Sequence, residues 1–233
     1  MPMFDKTLVN KEYCQEFPIL LEHLKAVLEY NEVINLTSIQ TLEAGKVLHI
    51  QDSLAALSEL DKAPPGRFAD LGSGAGYPGI PLAVVSNRST TLIESNQKKA
   101  RFLKSFIDSH GLTDRIEVHA GRSEELALKE PNGFSVITAR AVAELPVLVE
   151  LAAPLLSLGG QLIAYKGKPE DSENERANLT AERLSLTLMS SRSYCLNYDN
   201  TCYNRQIIVY QKTQQSSFKL PRRPGMANKR PLA

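Results

Sequence analysis

Phe68-Ala-Asp-Leu-Gly-Ser-Gly-Ala-Gly-Tyr-Pro-Gly-Ile-Pro-Leu82 is the stretch that decides the fold of this 233-residue chain. An apolar run at 68–71 enters a glycine-rich turn, and a helical stretch is predicted from 79 to 86. A strand, a glycine turn and a helix in this order offer a ligand bare backbone amides and the partial positive charge of a helix N-terminus. Gly72, Gly74 and Gly76, at alternate positions, exceed what a tight turn alone requires.

Outward from this loop the pattern repeats. Strands are predicted at 90–94, 116–119, 135–139 and 161–165, with helices near 97–110, 123–128 and 144–156. Strand–helix alternation implies a mostly parallel sheet covered on both faces. Upstream, 17–34 and 42–60 carry apolar residues at helical spacing, and Ala63-Pro-Pro-Gly66 stops the second helix. Downstream, 184–188 and 205–210 read as strands of an antiparallel edge, which brings the sheet to seven. The reading is therefore an α/β protein with a helical cap over 1–63, a sheet domain over 64–215 and an irregular tail over 216–233.

Three ligands compete for the loop. A Walker phosphate loop matches from Gly74 to Gly79 but has Ile80-Pro81 where Lys-Ser/Thr is required. A dinucleotide fingerprint fits as Gly74-x-Gly76-x-x-Gly79, two residues late relative to the strand, and sets Asp70 where it would repel a pyrophosphate. The third reading is an S-adenosylmethionine loop, D-x-G-x-G-x-G. Its ligand brings an ammonium and a sulfonium to this end, so Asp70 is expected to attract it. Glu94, ending the second strand, is placed to take the ribose hydroxyls. The methyl donor fits best.

The rest of the composition narrows the class. Hydrophobic residues at 42% and charged ones at 23% are ordinary for a globular domain and exclude a disordered chain, a collagen or a coiled-coil rod. Residues 216–233 hold five of the 27 cations and none of the 26 acids, so the other 215 residues carry a net −4. That asymmetry suggests a polyanion met at one edge, with Arg222, Arg223, Lys229 and Arg230 tracking phosphates. Cys14, Cys195 and Cys202 form an odd set without CxxC, read as small apolar residues of a reducing compartment. No leader pattern opens the sequence, and the apolar stretch 141–158 is interrupted by Glu144, Pro146, Glu150 and Pro154. A soluble, cytoplasmic monomer is expected. Four histidines without HExxH leave no metal site in prospect; His49 and Asp52 are expected to make a helix-surface hydrogen bond or packing contact.

With these residues in place, the chain resembles the ribosomal small-subunit methyltransferase G family, also called glucose-inhibited division protein B. The likeness is carried by Tyr30-Asn-Glu-Val-Ile-Asn-Leu-Thr-Ser38, His49-Ile-Gln-Asp52-Ser53, the 68–82 loop with its prolines, and Ile137-Thr-Ala-Arg140-Ala141. The tail, Pro221-Arg-Arg-Pro-Gly225 through Lys229-Arg-Pro-Leu232, completes it. The resemblance implies a class I S-adenosylmethionine-dependent methyltransferase that modifies a guanosine at ring nitrogen seven, in the decoding-centre loop of 16S ribosomal RNA or the small subunit. It further implies that Gly72, Gly74 and Tyr77 line the methionine side of the donor. Glu94 with Ser95 and Asn96 would hold its ribose, Ser123 and Glu124 would flank its adenine, and Arg140 would close the site. Glu94 stands where the family often has Asp.

The residues agree with that chemistry. Thr138-Ala-Arg-Ala occupies the strand end where exocyclic-amine methyltransferases commonly carry Asp/Asn-Pro-Pro-aromatic, and no cysteine follows a proline as carbon-five methylation often has it. A purine ring nitrogen has a free lone pair and loses no proton, so it needs neither device. The rival readings are a nicotinamide-dependent oxidoreductase and a noncatalytic RNA-binding module on the same scaffold. Two expectations follow: Arg140→Ala should lower donor affinity or turnover in a folded protein, and truncation after Gln215 should weaken RNA binding while sparing the donor.

Overall fold

Four consecutive buried residues make β1 (Phe68–Leu71), the strand that enters the glycine loop. It pairs in parallel with β2 (Thr90–Ile93) on one side and β4 (Phe134–Arg140) on the other, setting Asp70 opposite Leu92 and Thr138. β3 (Ile116–His119) extends the sheet beyond β2, and β5 (Leu156–Lys166) extends it beyond β4. β6 (Leu186–Tyr198) and β7 (Thr201–Lys212) form an antiparallel hairpin whose second strand docks on β5. The order is β3-β2-β1-β4-β5-β7-β6. Chain direction across the sheet reverses between β1 and β4, so the crevice at their carboxyl ends is the switch point where open α/β sheets bind ligands. The computed structural model describes residues 17–167 and 169–233. The first sixteen residues of the expected cap, Cys14 among them, lie outside the described residues.

The cap begins with α1 (Pro18–Tyr30), whose proline sits in the first turn, where a missing N–H costs nothing. α1 buries Leu20, His23, Leu24 and Val27. α2 (Leu42–Gly45) starts at Thr41, whose hydroxyl accepts from Ala44 N, and continues as a π-helical segment, Lys46–Gln51, into α3 (Asp52–Leu54). α4 (Leu57–Lys62) follows. The expected single helix over 42–60 is thus interrupted. The wider π turn shifts the side-chain phase, so that His49, Ile50, Asp52, Ser53 and Leu54 all turn inward. His49 and Asp52, expected to make a helix-surface hydrogen bond or a packing contact, are both buried in the cap.

Between the strands run α5 (Gly79–Ser86), α6 (Gln97–Ser109), α7 (Ser123–Lys129) and α8 (Leu145–Ala152), within a few residues of their predicted bounds. α6 keeps Lys98, Arg101 and Lys104 on its exposed side and buries Phe102, Leu103 and Phe106, as its period predicts. Two apolar clusters sandwich the sheet. One joins α1, the α2–α4 run, α5 and α6 to one face, and the other joins α7, α8 and the next helix to the opposite face.

That next helix, α9 (Asp171–Arg183), is absent from the sequence reading. It buries only Ala177, Thr180 and Ala181, so no large apolar stripe announces it. The hairpin is also longer than predicted, turning at Asp199-Asn200, both with positive φ, in the two-residue manner that hairpins favour. Cys195 and Cys202, exposed on facing strands, form a disulfide across it, which corrects their reading as reduced, small apolar residues. The tail is ordered: Leu220 and Leu232 pack on the second cluster, Ala227 is buried, and α10 (Met226–Lys229) forms a single turn.

Candidate active site

Asp70 organises the loop from behind. Fully buried, its carboxylate accepts from Thr138 Oγ1 at 2.6 Å and from Gly79 N at 3.2 Å, the first amide of α5. Gly79 has no room for a side chain; a Cβ would meet Asp70 Oδ2 at 2.7 Å and Leu92 Cδ2 at 2.5 Å. Asp70 does not line the cavity in front of the loop. Its expected attraction for a cationic ligand therefore acts as a field from behind the loop, whose backbone it also holds.

The cavity has a volume of about 540 Å³. Gly72, Gly74, Tyr77, Glu94, Ser95, Ser123, Glu124 and Arg140 all line it, so the structure brings together eight of the nine residues singled out for the donor. Gly72, at φ +68°, donates to Ile93 O at 2.8 Å, and Val142 fills the space its Cβ would need. Glu94 Oε2 accepts from Gly74 N at 2.8 Å and Oε1 from Asn96 N at 2.6 Å. A carboxylate has about four acceptor positions, which leaves two for a vicinal diol. Asn96 is the exception among the nine. Its side chain caps α6, accepting from Lys98 N and Lys99 N, and it stays out of the cavity. At the far end, Glu124 accepts from Ser123 Oγ at 3.2 Å and from Gly225 N at 2.9 Å.

A second chamber of about 500 Å³ adjoins the first, and the two share Thr37, Ser38, His49, Arg140 and Ala141. Its other walls include Asp52, Tyr165, Tyr203 and Arg205. Arg140 stands at the junction. It donates to Asp52 Oδ2 at 2.7 Å, to Leu48 O at 3.2 Å and to His49 Nδ1 at 3.2 Å. Tyr194 donates to the other Asp52 oxygen at 2.7 Å, and Tyr165 donates to Ser53 O at 2.5 Å. His49 stacks on Tyr77 with centroids 4.4 Å apart and an interplanar angle of 6°. Its acceptor role toward Arg140 assigns the proton to Nε2, which donates to Thr37 Oγ1 at 2.8 Å. Thr37, His49, Asp52, Tyr165 and Arg205 were not read as site residues; the inward phase of the π segment, which turns His49 and Asp52 to the site, leaves no mark in a one-dimensional pattern.

Burial holds both inner histidines neutral. His23, donating to Ala75 O at 2.8 Å, is pushed from 6.5 to about 3, and so is His49, helped by the Arg140 guanidinium. Unfolding returns each to 6.5, so below that pH the unfolded chain binds more protons and stability falls with pH. Asp70 works the other way. Burial raises it from 3.8 to about 6, so between those values the folded chain holds the extra proton. Below pH 6 it offsets one histidine. The net expectation is a loss of roughly 3 kcal/mol on going from pH 7 to pH 5, read from urea midpoints. A midpoint unchanged over that range contradicts the neutral assignment.

Of the four tail cations proposed to meet RNA, Arg223, Lys229 and Arg230 are exposed. Arg222 is not free to do so. Its guanidinium makes a two-pronged pair with buried Glu150, at 2.7 and 2.5 Å, and also donates to Arg230 O. That assignment is corrected to an internal anchor. Among the described residues no helix is long and apolar enough to cross a membrane, and no group of His, Cys, Asp and Glu is placed to hold a metal.

A sheet of this order, with a glycine loop and an acidic second strand facing one cavity at its switch point, defines a class I S-adenosylmethionine-dependent methyltransferase. Solved structures share the fold. An O-methyltransferase from Bacillus cereus in complex with SAH aligns with a TM-score of 0.59 and 20% identity, over 88% of this chain and 97% of that one. M. jannaschii TYW2 in complex with AdoMet aligns at 0.53 and 15%, over 69% and 75%. The model of the family described as rRNA small subunit methyltransferase G matches residues 16–197. Proteins named ribosomal RNA small subunit methyltransferase G are similar throughout. That of Geobacillus kaustophilus is 34% identical over 90% of this chain and 88% of its own, and that of Alkaliphilus metalliredigens is 32% identical over 98% and 99%. The chain belongs to the rRNA small subunit methyltransferase G family.

Proposed function

We propose that this protein transfers a methyl group from S-adenosylmethionine to ring nitrogen seven of a guanosine in the decoding-centre loop of 16S ribosomal RNA. The observation that carries the proposal is the junction of two chambers at Arg140, one suited to the donor and one open beside it for a base. The residues present fit the donor: a carboxylate with acceptor positions to spare at Glu94, glycines at 72 and 74 that leave the cavity wall there without side chains, and a polar far end at Ser123 and Glu124. When bound, the donor supplies an electrophilic methyl on a sulfonium that departs as a neutral thioether.

The second chamber presents donors and rings rather than a base. Asp52 is engaged by Arg140 and Tyr194, and both nitrogens of His49 have partners. A nitrogen that carries its own lone pair needs no proton removed, so this chain's task is alignment. Holding a nucleophile in line with its target can supply about 7–11 kcal/mol of the barrier. Stacked Tyr77 and His49 give the wall between the chambers a rigid planar surface that supports such alignment. The nicotinamide reading has no comparable support, since the closer relatives are methyltransferases.

In this reading residues 64–215 carry the donor, the cap to residue 63 shapes the base chamber, and Arg223, Lys229 and Arg230 meet RNA phosphates. Action as a monomer in the cytoplasm, where ribosomal subunits are assembled, completes the reading. Labelled methyl transfer to intact small subunits and to stripped 16S RNA, followed by digestion, tests the function. We expect label in 7-methylguanosine. Label on an exocyclic amine or a ring carbon, or none with either substrate, overturns it.

A further inference from the structure

The tail was expected to serve RNA alone, yet its contacts lead to the donor cavity. Arg222 is tied to Glu150 on α8, whose side chain is only 3% exposed. Three residues on, Gly225 N donates to Glu124 Oε1, one of the cavity-lining carboxylates. α10 starts there, and Asn228 reaches the wall of the 540 Å³ cavity. No other residue beyond β7 lines that cavity.

We infer that the C-terminal tail completes the donor site, with Asn228 as a specificity-determining contact for the donor's purine and the Glu150–Arg222 pair as the anchor that positions it. The inference rests on the donor reading of this cavity given above. Its chemistry follows from the amide. Asn carries both a donor and an acceptor in one plane, the pairing that an adenine edge, with its amine beside a ring nitrogen, calls for. Glu124 alone offers only acceptors, and two of its positions are already taken by Ser123 and Gly225. The tail brings a side chain that carries both functions to this end of the cavity.

Calorimetric titration of the full chain with S-adenosylhomocysteine and with S-inosylhomocysteine, which has a carbonyl in place of the amine, tests it. Asn228→Ala changes an exposed side chain and should leave the urea midpoint in place. It is expected to weaken adenosylhomocysteine binding about tenfold and to shrink the preference over the inosyl analogue. Truncation after Gln215 should weaken binding at least as much, contrary to a tail that serves only RNA. Glu94→Ala is the reference arm. If it loses the ligand while Asn228→Ala binds both nucleosides like the unchanged chain, the tail assignment is overturned and the donor site stands. If Glu94→Ala also binds normally, the donor reading and the inference fall together.

Discussion

Arg140→Ala is expected to cost the folded protein about 3–5 kcal/mol, the range for breaking a buried ion pair from one side. Asp52 and Arg140 expose only 4% and 15% of their side chains, and their 2.7 Å contact joins the cap to the end of β4. Removing the guanidinium leaves Asp52 with one neutral donor, Tyr194, and with Arg205 at 3.8 Å. Leu48 O and His49 Nδ1 lose their donor as well. From the sequence, the same change was expected to touch affinity or turnover in a folded protein; the geometry moves its main effect to stability. Urea unfolding checks it: the midpoint should fall with little change in slope. The double variant Arg140→Met, Asp52→Leu should recover much of the loss, because it removes both charges together, while methyl transfer stays impaired. A single variant as stable as the unchanged chain would remove Arg140 from the framework of the site.

The sheet was legible because its inner short strands are buried on both sides and its edge strand Ile116–His119 still alternates apolar with polar residues. Phe68–Leu71 and Ile116–His119 fall where the pattern put them, and so does the helix Gly79–Ser86. Elements that hide small or polar surfaces were not legible. α9 buries two alanines and a threonine, and much of β6 faces solvent, so neither produces a period. The π segment is invisible for another reason. Its composition is that of an ordinary helix, and the contacts it serves, His49 and Asp52 with Arg140, lie about 90 residues apart in sequence.

The site divides along the same line. Residues next to the glycine loop were found because ligand and loop are close in sequence: Gly72, Gly74, Tyr77 and Glu94 meet at one cavity. Asp70 was found through its charge, while its second duty, bracing Thr138 and the amide of Gly79, was not legible. Arg222 was counted as an RNA cation because charge is all a sequence shows. Its partner, Glu150, lies 72 residues away and was read only as an interruption of an apolar run. Long-range pairs of this kind decide which charges are surface and which are framework.

Glu94→Ala should weaken S-adenosylhomocysteine binding roughly a hundredfold, about 2.7 kcal/mol. Two losses combine. The carboxylate bridges the amides of Gly74 and Asn96, and so ties the glycine loop to the start of α6. Hydrogen bonds to a charged group contribute about 1.5–3 kcal/mol each, so its removal loosens the loop before any ligand arrives. The two acceptor positions left facing the cavity also disappear, and with them the contact proposed for the ribose diol. The two effects separate experimentally. A 2′-deoxy analogue of adenosylhomocysteine lacks part of the diol, so the unchanged chain should prefer the ribose form, and Glu94→Ala should bind both forms equally weakly. Glu94→Gln keeps one carbonyl acceptor but turns an amine toward one of the two backbone donors, so an intermediate loss of about tenfold is expected. A ribose preference that survives in Glu94→Ala would show that Glu94 acts only as a brace for the loop and that another group reads the sugar.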